Sequence, residues 1–389
     1  MSAFDVVVIG GGPAGSTAAY RLASAGARVL VVDKAVFPRD KPCGGGVTTR
    51  AARLLPFSIE PVVEDRIERI ECRLRYGSRF VRRPRAPVAL MTQRRRLDHF
   101  LLQKAAEAGA DARDGVKVAD VRPGGLTVDG EEIQARLVIG ADGCNGTSAR
   151  ALDLGVEIVH GVALEANIPH RAAPRERFAA TMVLEIGAVR GGYGWIFPKR
   201  DHVNVGVGGD QSEGPRLRAA LRRLCEEYGI DPEAATETRG YRLPLRRPQS
   251  RLARGTAAVI GDAAGLVDPF SGDGMFEAFL SSQLVAEAAL AVLAGQADGL
   301  EPYERAVAGR ITPLTAAGWG AKAAFDRFPR TTFAVARLPV TFRALEQLLA
   351  GDLGRPGAAR GLQKGAILLL YAVARRAGDP GRAYAAAAT

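Results

Sequence analysis

Cysteine, histidine and lysine are scarce in this chain, and each scarcity removes a class of function. The four cysteines, Cys43, Cys72, Cys144 and Cys225, stand far apart and form no C-x-x-C pair. Neither a disulfide framework nor a thiolate zinc site is indicated. Four widely spaced histidines add no ligand cluster, so no metal is expected. No apolar run approaches the roughly 20 residues that a membrane-spanning helix needs. The opening MSAFDVVVIGGG goes straight into a strand pattern, without a basic leader or a cleavage site. A cytoplasmic protein is expected, with peripheral contact at the inner face of a membrane left open.

Only 7 of the 53 basic residues are lysine, and the formal net charge is +11. Arginine enrichment of this kind accompanies GC-rich genomes; it would equally suit a surface drawn to anionic lipid or phosphate. Charge does not choose between them. No nucleic-acid partner is expected. With 389 residues, 47% hydrophobic and 24% charged, the chain reads as globular, with two or three structural units.

What is present begins at the N-terminus. DVVVIGGGPAGSTAAYRLASAGARVLVVDK has the order strand, glycine turn, helix, strand. Val6 to Ile9 is the continuous apolar run of a buried parallel strand. Gly10, Gly12 and Gly15 fit G-x-G-x-x-G: the first turns the chain, the second admits a pyrophosphate, the third lets helix and strand pack. Ala14 sits within this turn, and the helix start offers unpaired N–H groups. Asp33 ends the second strand, where a carboxylate accepts from ribose hydroxyls, and Lys34 follows it.

Two later segments favour FAD over NAD. LVIGADGCNGTSAR runs from an apolar strand into Asp142-Gly143. AAVIGDAAGLVDPFSGDGMFEAF runs through Gly261-Asp262 into a Pro/Gly loop and a long helix. Asp262 suits a ribityl hydroxyl, or else a helix cap. Gly272, Gly274 and Met275, at a helix N-terminus, suit the negative charge of a reduced flavin. No second dinucleotide fingerprint is present, so the electron donor is left unidentified.

These segments resemble flavoproteins built like para-hydroxybenzoate hydroxylase, over roughly the first 300 residues. In that group an arginine four residues before an aspartate helps hold FAD. RRRLDHFLL gives Arg94 that register, with Leu97 where phenylalanine is usual. The roof of such proteins is an antiparallel sheet, and here YGWIFPKRDHVNVGVG is similar to the Y-x-W-x-F-P-K…G-x-G signature of the geranylgeranyl reductase family. Tyr193, Trp195, Phe197, Pro198 and Lys199 match, followed by Gly206 and Gly208. The alternation turns Tyr193, Trp195 and Phe197 to one side of a strand, either as an apolar wall for a prenyl chain or as core packing.

The same family carries Pro-Cys-Gly-Gly beside the flavin ring, which implies that Cys43, Gly44 and Gly45 lie there. Cys43 then either handles a proton, with Tyr193 next in line, or merely shapes the pocket. The resemblance implies an FAD-dependent reductase of isolated C=C bonds in a prenyl chain, whether a geranylgeranyl group or a polyprenyl quinone or lipid. A monooxygenase or halogenase on the same scaffold and a non-catalytic prenyl carrier are the rivals.

The expected fold is α/β (α+β). A Rossmann-like FAD-binding domain is built from residues 1–70, 92–155 and 255–300, and a β-sheet substrate domain from 71–91 and 156–254. A C-terminal helical region follows at 301–389. Within it LQKGAILLLYAVARRAG is too short to span a bilayer, and reads as a buried helix or one lying at a membrane interface.

Overall fold

A computed structural model describes residues 4–154, 157–247 and 250–378. The expected junction at 155/156 and the last eleven residues of the helical region lie outside the described residues.

Five parallel strands form the nucleotide end. In sheet order they are Ala257–Val259, Glu131–Gly140, Phe4–Ile9, Val29–Val32 and Asp111–Arg113. Val6, Val7 and Val8 are fully buried, as are Leu30 and Val32, because helices cover both faces of such a sheet. The carboxyl ends of the first strands deliver the Gly10 turn, Asp33, the Asp142 loop and Asp262 to one edge, where ligands of open α/β sheets bind.

Helix Pro13–Ser24 starts without a side-chain cap and packs on helix Met275–Leu293. Ser282 donates a hydrogen bond to the Ala14 carbonyl across that contact, at 2.7 Å. Met275–Leu293, 19 residues with a mean hydropathy of 1.4, is long and apolar enough to cross a membrane, which corrects the reading that no such run exists. It is a core helix: 61% of its most apolar window is buried inside the protein.

A seven-stranded sheet roofs this domain. Its order is Thr236–Arg246, Ile158–Pro169, His202–Asp210, Tyr193–Pro198, Thr181–Ile186, Arg69–Leu74 and Arg79–Arg82. One face carries Ile168, Val183, Ile196, Val203 and Val205 onto helix Leu217–Glu227. The alternate residues therefore face the nucleotide domain. A small sheet of Gly46–Thr48, Ala89–Met91 and Asp65–Arg66 joins the two.

Five C-terminal helices, from Glu301–Arg310 to Gly361–Arg376, close the third side. The last of them is neither fully buried nor free. It buries Ala366, Ile367, Val373 and Ala374 and exposes Leu362, Leu368 and Leu369.

Gly15 shows how tightly the first turn is made. A Cβ there would run into the backbone oxygen of Gly10. Gly15→Ala is expected to cost about 3 kcal/mol, the upper end of overpacking costs, read from urea unfolding; a wild-type midpoint would mean that strand and helix have slack.

Candidate active site

A cavity of about 1040 Å³ runs between the three layers. At one end it is lined by Gly10, Gly12, Ala14, Asp33 and Lys34, with Val116, Val118 and Val121 as an apolar side. Its middle is lined by Cys43, Gly44, Gly45, Arg94, Asp262, Gly272, Gly274 and Met275. Gly15 and Gly261 are absent from the lining; each packs one element on another, Gly261 against the Ala14 methyl.

The dinucleotide end has the shape the glycine pattern implies. At Gly12 a Cβ would meet only an Arg39 nitrogen, at 3.5 Å, so the space over the helix start is open. Asp33 closes the turn, accepting from the Gly11 N–H at 2.7 Å and the Ala35 N–H at 2.9 Å. Asp142 is turned into its own loop, accepting from the Thr147 and Ser148 N–H groups at 2.8 and 2.9 Å and from the Ser148 hydroxyl. Its carboxylate shapes the loop, and Asp142, Gly143 and Cys144 all line the cavity.

Arg94 is buried and makes a two-pronged ion pair with Asp98, both contacts at 2.7 Å. Arg39 adds a third contact to Asp98, also at 2.7 Å. Asp262 accepts from Lys41 at 3.0 Å and from the Tyr241 hydroxyl at 2.6 Å. Asp273 lines the cavity with its Oδ2 lacking a hydrogen-bond partner among the described residues. Open space at Gly12, an uncapped helix and an orphaned acceptor fit a flavin dinucleotide lying along this cleft.

The Cys43 loop lies against the aromatic strand. A Cβ on Gly44 would sit 2.8 Å from the Phe197 ring and 3.2 Å from the Trp195 indole nitrogen. Gly45 adopts φ +67°, and a side chain there would strike the Thr92 carbonyl, so the loop requires glycine at both positions. The Cys43 sulfur accepts from the Gly45 N–H at 3.4 Å.

Tyr193, Trp195 and Phe197 do form a wall, with successive ring centroids 6.0 and 6.2 Å apart. Gly206, paired with Trp195 on the next strand, leaves the room that its indole fills. The Tyr193 hydroxyl donates to the Ser271 carbonyl, and burial pushes its pKa up. That makes it a poor proton source.

Pro198 and Lys199, which continue the motif and were expected with the three rings to bind substrate, do not line the cavity. The strand ends there, and Lys199 turns under the loop. It is 3% exposed and donates to the Gly44 carbonyl at 2.7 Å and the Thr92 carbonyl at 2.9 Å. Burial pushes its pKa down to about 8.

Beyond the wall the cavity continues as an apolar tunnel. Leu184, Cys72 and Phe80 of the sheet face Phe333, Phe342, Leu349, Leu370 and Tyr371 of the C-terminal helices. Sequence reading missed these helix residues, and also Arg39, Lys41, Tyr241 and Glu165. Glu165 did leave a signal, as a lone acid in the cavity-facing phase of the strand VALEANIP.

With this geometry the comparisons with known proteins agree. The family described as FAD binding domain matches residues 3–312. Menaquinone reductase of Mycolicibacterium smegmatis is 34% identical over 311 residues, covering 73% of this chain and 75% of its own. Geranylgeranyl diphosphate reductase of Rhodobacter capsulatus is 32% identical over 305 residues, covering 75% and 76%. Among solved structures, a geranylgeranyl bacteriochlorophyll reductase-like protein from Thermoplasma acidophilum superposes with a TM-score of 0.79 at 20% identity, covering 97% and 98%. The flavin-dependent brominase Bmp2 gives 0.77 at 20% identity, covering 96% and 98%, and so shares the fold. The fold and cleft are those of an FAD-dependent oxidoreductase. The chain belongs to the FAD-binding-domain flavoproteins, in their geranylgeranyl reductase group.

Lys199→Met would leave two carbonyls without donors under the loop. A loss of about 1–3 kcal/mol in urea unfolding is expected, the scale for a buried acceptor left unsatisfied, together with faster alkylation of Cys43. A wild-type midpoint with unchanged alkylation would show that the loop stands without the clamp.

Proposed function

We propose that this protein saturates isolated C=C bonds of a prenyl chain, borne by a geranylgeranyl group or a polyprenyl quinone or lipid. One observation carries the reading: the Cys43–Gly45 loop is pressed against an aromatic wall at the entrance of an apolar tunnel. A prenyl chain has surface to bury and few hydrogen bonds to give, which such a tunnel matches. Relatives named as reductases of menaquinone and of geranylgeranyl diphosphate support it.

In this reading FAD, bound and reduced, supplies the hydride. Gly10, Gly12, Ala14 and the uncapped helix start hold its pyrophosphate, Asp33 and Lys34 its adenosine end, and Asp262 its ribityl chain. Arg94, Gly272, Gly274, Met275, Gly44 and Gly45 would border its ring. An isolated alkene accepts hydride poorly, so a proton must be given as hydride arrives. Cys43 is the donor beside the wall. Tyr193, Trp195 and Phe197 keep water out and face the developing positive charge with aromatic surface. The exposed Leu362, Leu368 and Leu369, with Arg375 and Arg376 near the tunnel's last helix, suit a membrane surface from which a water-insoluble chain enters.

Dithionite-reduced protein, kept anaerobic, is expected to hydrogenate a geranylgeranyl chain with no oxygen in the product. A hydroxylated or halogenated product that requires oxygen would replace this reading with that of a monooxygenase or halogenase.

In single-turnover oxidation of the reduced flavin by substrate, Cys43→Ala is expected to keep FAD and slow the reaction about 10²-fold or more, the scale for losing a general acid. Cys43→Ser should recover little, since a hydroxyl is the weaker acid. Rates within a few-fold of wild type for both would leave Cys43 a pocket-shaping residue.

A further inference from the structure

The roof sheet places one register row across all seven strands. Reading from its nucleotide side, the row is Arg239, Glu165, Gly206, Trp195, Leu184, Cys72 and Phe80. All of these except Gly206 line the cavity. Glu165 is the carboxyl of this row, two strands from Trp195, and it is turned toward the Cys43 loop.

It does more than face the loop. Its Oε1 accepts the backbone N–H of Cys43 at 2.8 Å. On the same sheet face, the Asn204 side-chain oxygen takes the Trp195 indole N–H at 2.8 Å. The strand neighbour of Glu165, Arg239, pairs with Asp40 from the loop side, and both of those side chains are about a third exposed. The charged groups around Glu165 are thus Cys43 and Asp40 on the loop, Lys199 beneath it, and Arg239 on the adjacent strand.

We propose that Glu165 is the positioning and proton-relay partner of Cys43, fixing the loop through the Cys43 N–H and returning a proton to the sulfur after each reduction. This rests on the reading above, in which Cys43 donates to the alkene. The Cys43 S–H bond breaks as a C–H bond forms, while the hydride from chemically reduced FAD makes the second C–H bond. The Glu165 carboxylate then takes up a proton from solvent at the Asp40–Arg239 rim and passes it to the thiolate. Two electrons leave the flavin and two enter the alkene. The other nearby groups are already committed: Lys199 to two carbonyls, and the Tyr193 hydroxyl to Ser271. Burial pushes the Glu165 carboxyl up, against the Cys43 N–H and Lys199, so it takes up a proton in passing more readily than an exposed glutamate does.

The test uses the full-length protein loaded with FAD. Glu165→Gln keeps an oxygen for the Cys43 N–H and cannot ionise. Alkylation of Cys43 by iodoacetamide is followed at pH 8 by peptide mass spectrometry. An ionised carboxyl held at the Cys43 backbone disfavours the thiolate, so alkylation should accelerate about threefold or more in the variant. With dithionite and a geranylgeranyl substrate, the steady-state rate of Glu165→Gln should fall about tenfold further than its first-turnover rate. The first event uses the thiol's own proton; later ones wait for reloading. Glu165→Asp, which keeps an acid, should bring that ratio back to within about threefold of wild type.

Equal losses in both phases, unchanged alkylation, or an Asp variant no better than Gln would overturn the relay. If wild-type protein reduces no prenyl chain, the functional reading fails, and the alkylation arm still decides whether Glu165 and Cys43 are coupled.

Discussion

The buried ammonium of Lys199 ties together the parts of this site. Taking such a charge out of water is unfavourable unless acceptors surround it. Here the Gly44 and Thr92 carbonyls accept from it, and its surroundings carry the acids Glu64, Asp65 and Glu165. The arrangement joins the end of the aromatic strand, the loop bearing Cys43, and the segment leading into the Arg94 helix. The loop and that segment flank paired strands of the small sheet, whereas the aromatic strand belongs to the roof. The loop is therefore held at two neighbouring points, the Gly44 carbonyl by Lys199 and the Cys43 N–H by Glu165. The glycines at 44 and 45 follow from this closeness, because a Cβ at either would collide with what the clamp draws in.

The seven-strand row explains why one cavity can serve both a dinucleotide and an oily chain. Polarity falls along it from Arg239 and Glu165 to Leu184, Cys72 and Phe80. Trp195 stands at the change, its indole N–H held by Asn204 and its ring laid over Gly206. Paired strands give such a gradient directly, since partners in register point to the same face, here including one parallel pair, Thr181–Ile186 with Arg69–Leu74. Polar groups lie at one end and apolar surface at the other of a single cavity.

The sequence was readable where function needs a particular backbone. The Gly10–Gly15 turn, the Cys43–Gly45 loop and the alternation from Tyr193 to Phe197 are each specified within a few residues, and each places side chains as its local pattern implies. Asp142 shows the limit. An acid after a strand serves a ligand or its own turn equally well, and only the fold shows its oxygens taken by Thr147 and Ser148. Lys199 reads as part of the aromatic string, yet the strand ends one residue before it and its side chain goes under the loop. Glu165 lies 122 residues from Cys43, and no local pattern joins them. The apolar length of Met275–Leu293 was hidden by Glu277 and Glu287, acids that a run-based reading takes as interruptions.

The C-terminal helices gave no motif at all, and the physics of their task accounts for that. The family match ends at residue 312, and the tunnel's far wall begins at Leu314. A dinucleotide is held by hydrogen bonds and close backbone approach, which fix residue identity at fixed spacing. An apolar chain asks only for volume and the absence of unpaired polar groups, and many combinations of apolar side chains satisfy both. Helix periodicity then records that these segments have a buried side without recording what they are buried against. The half of the site that meets the proposed substrate is for this reason the half whose sequence says least.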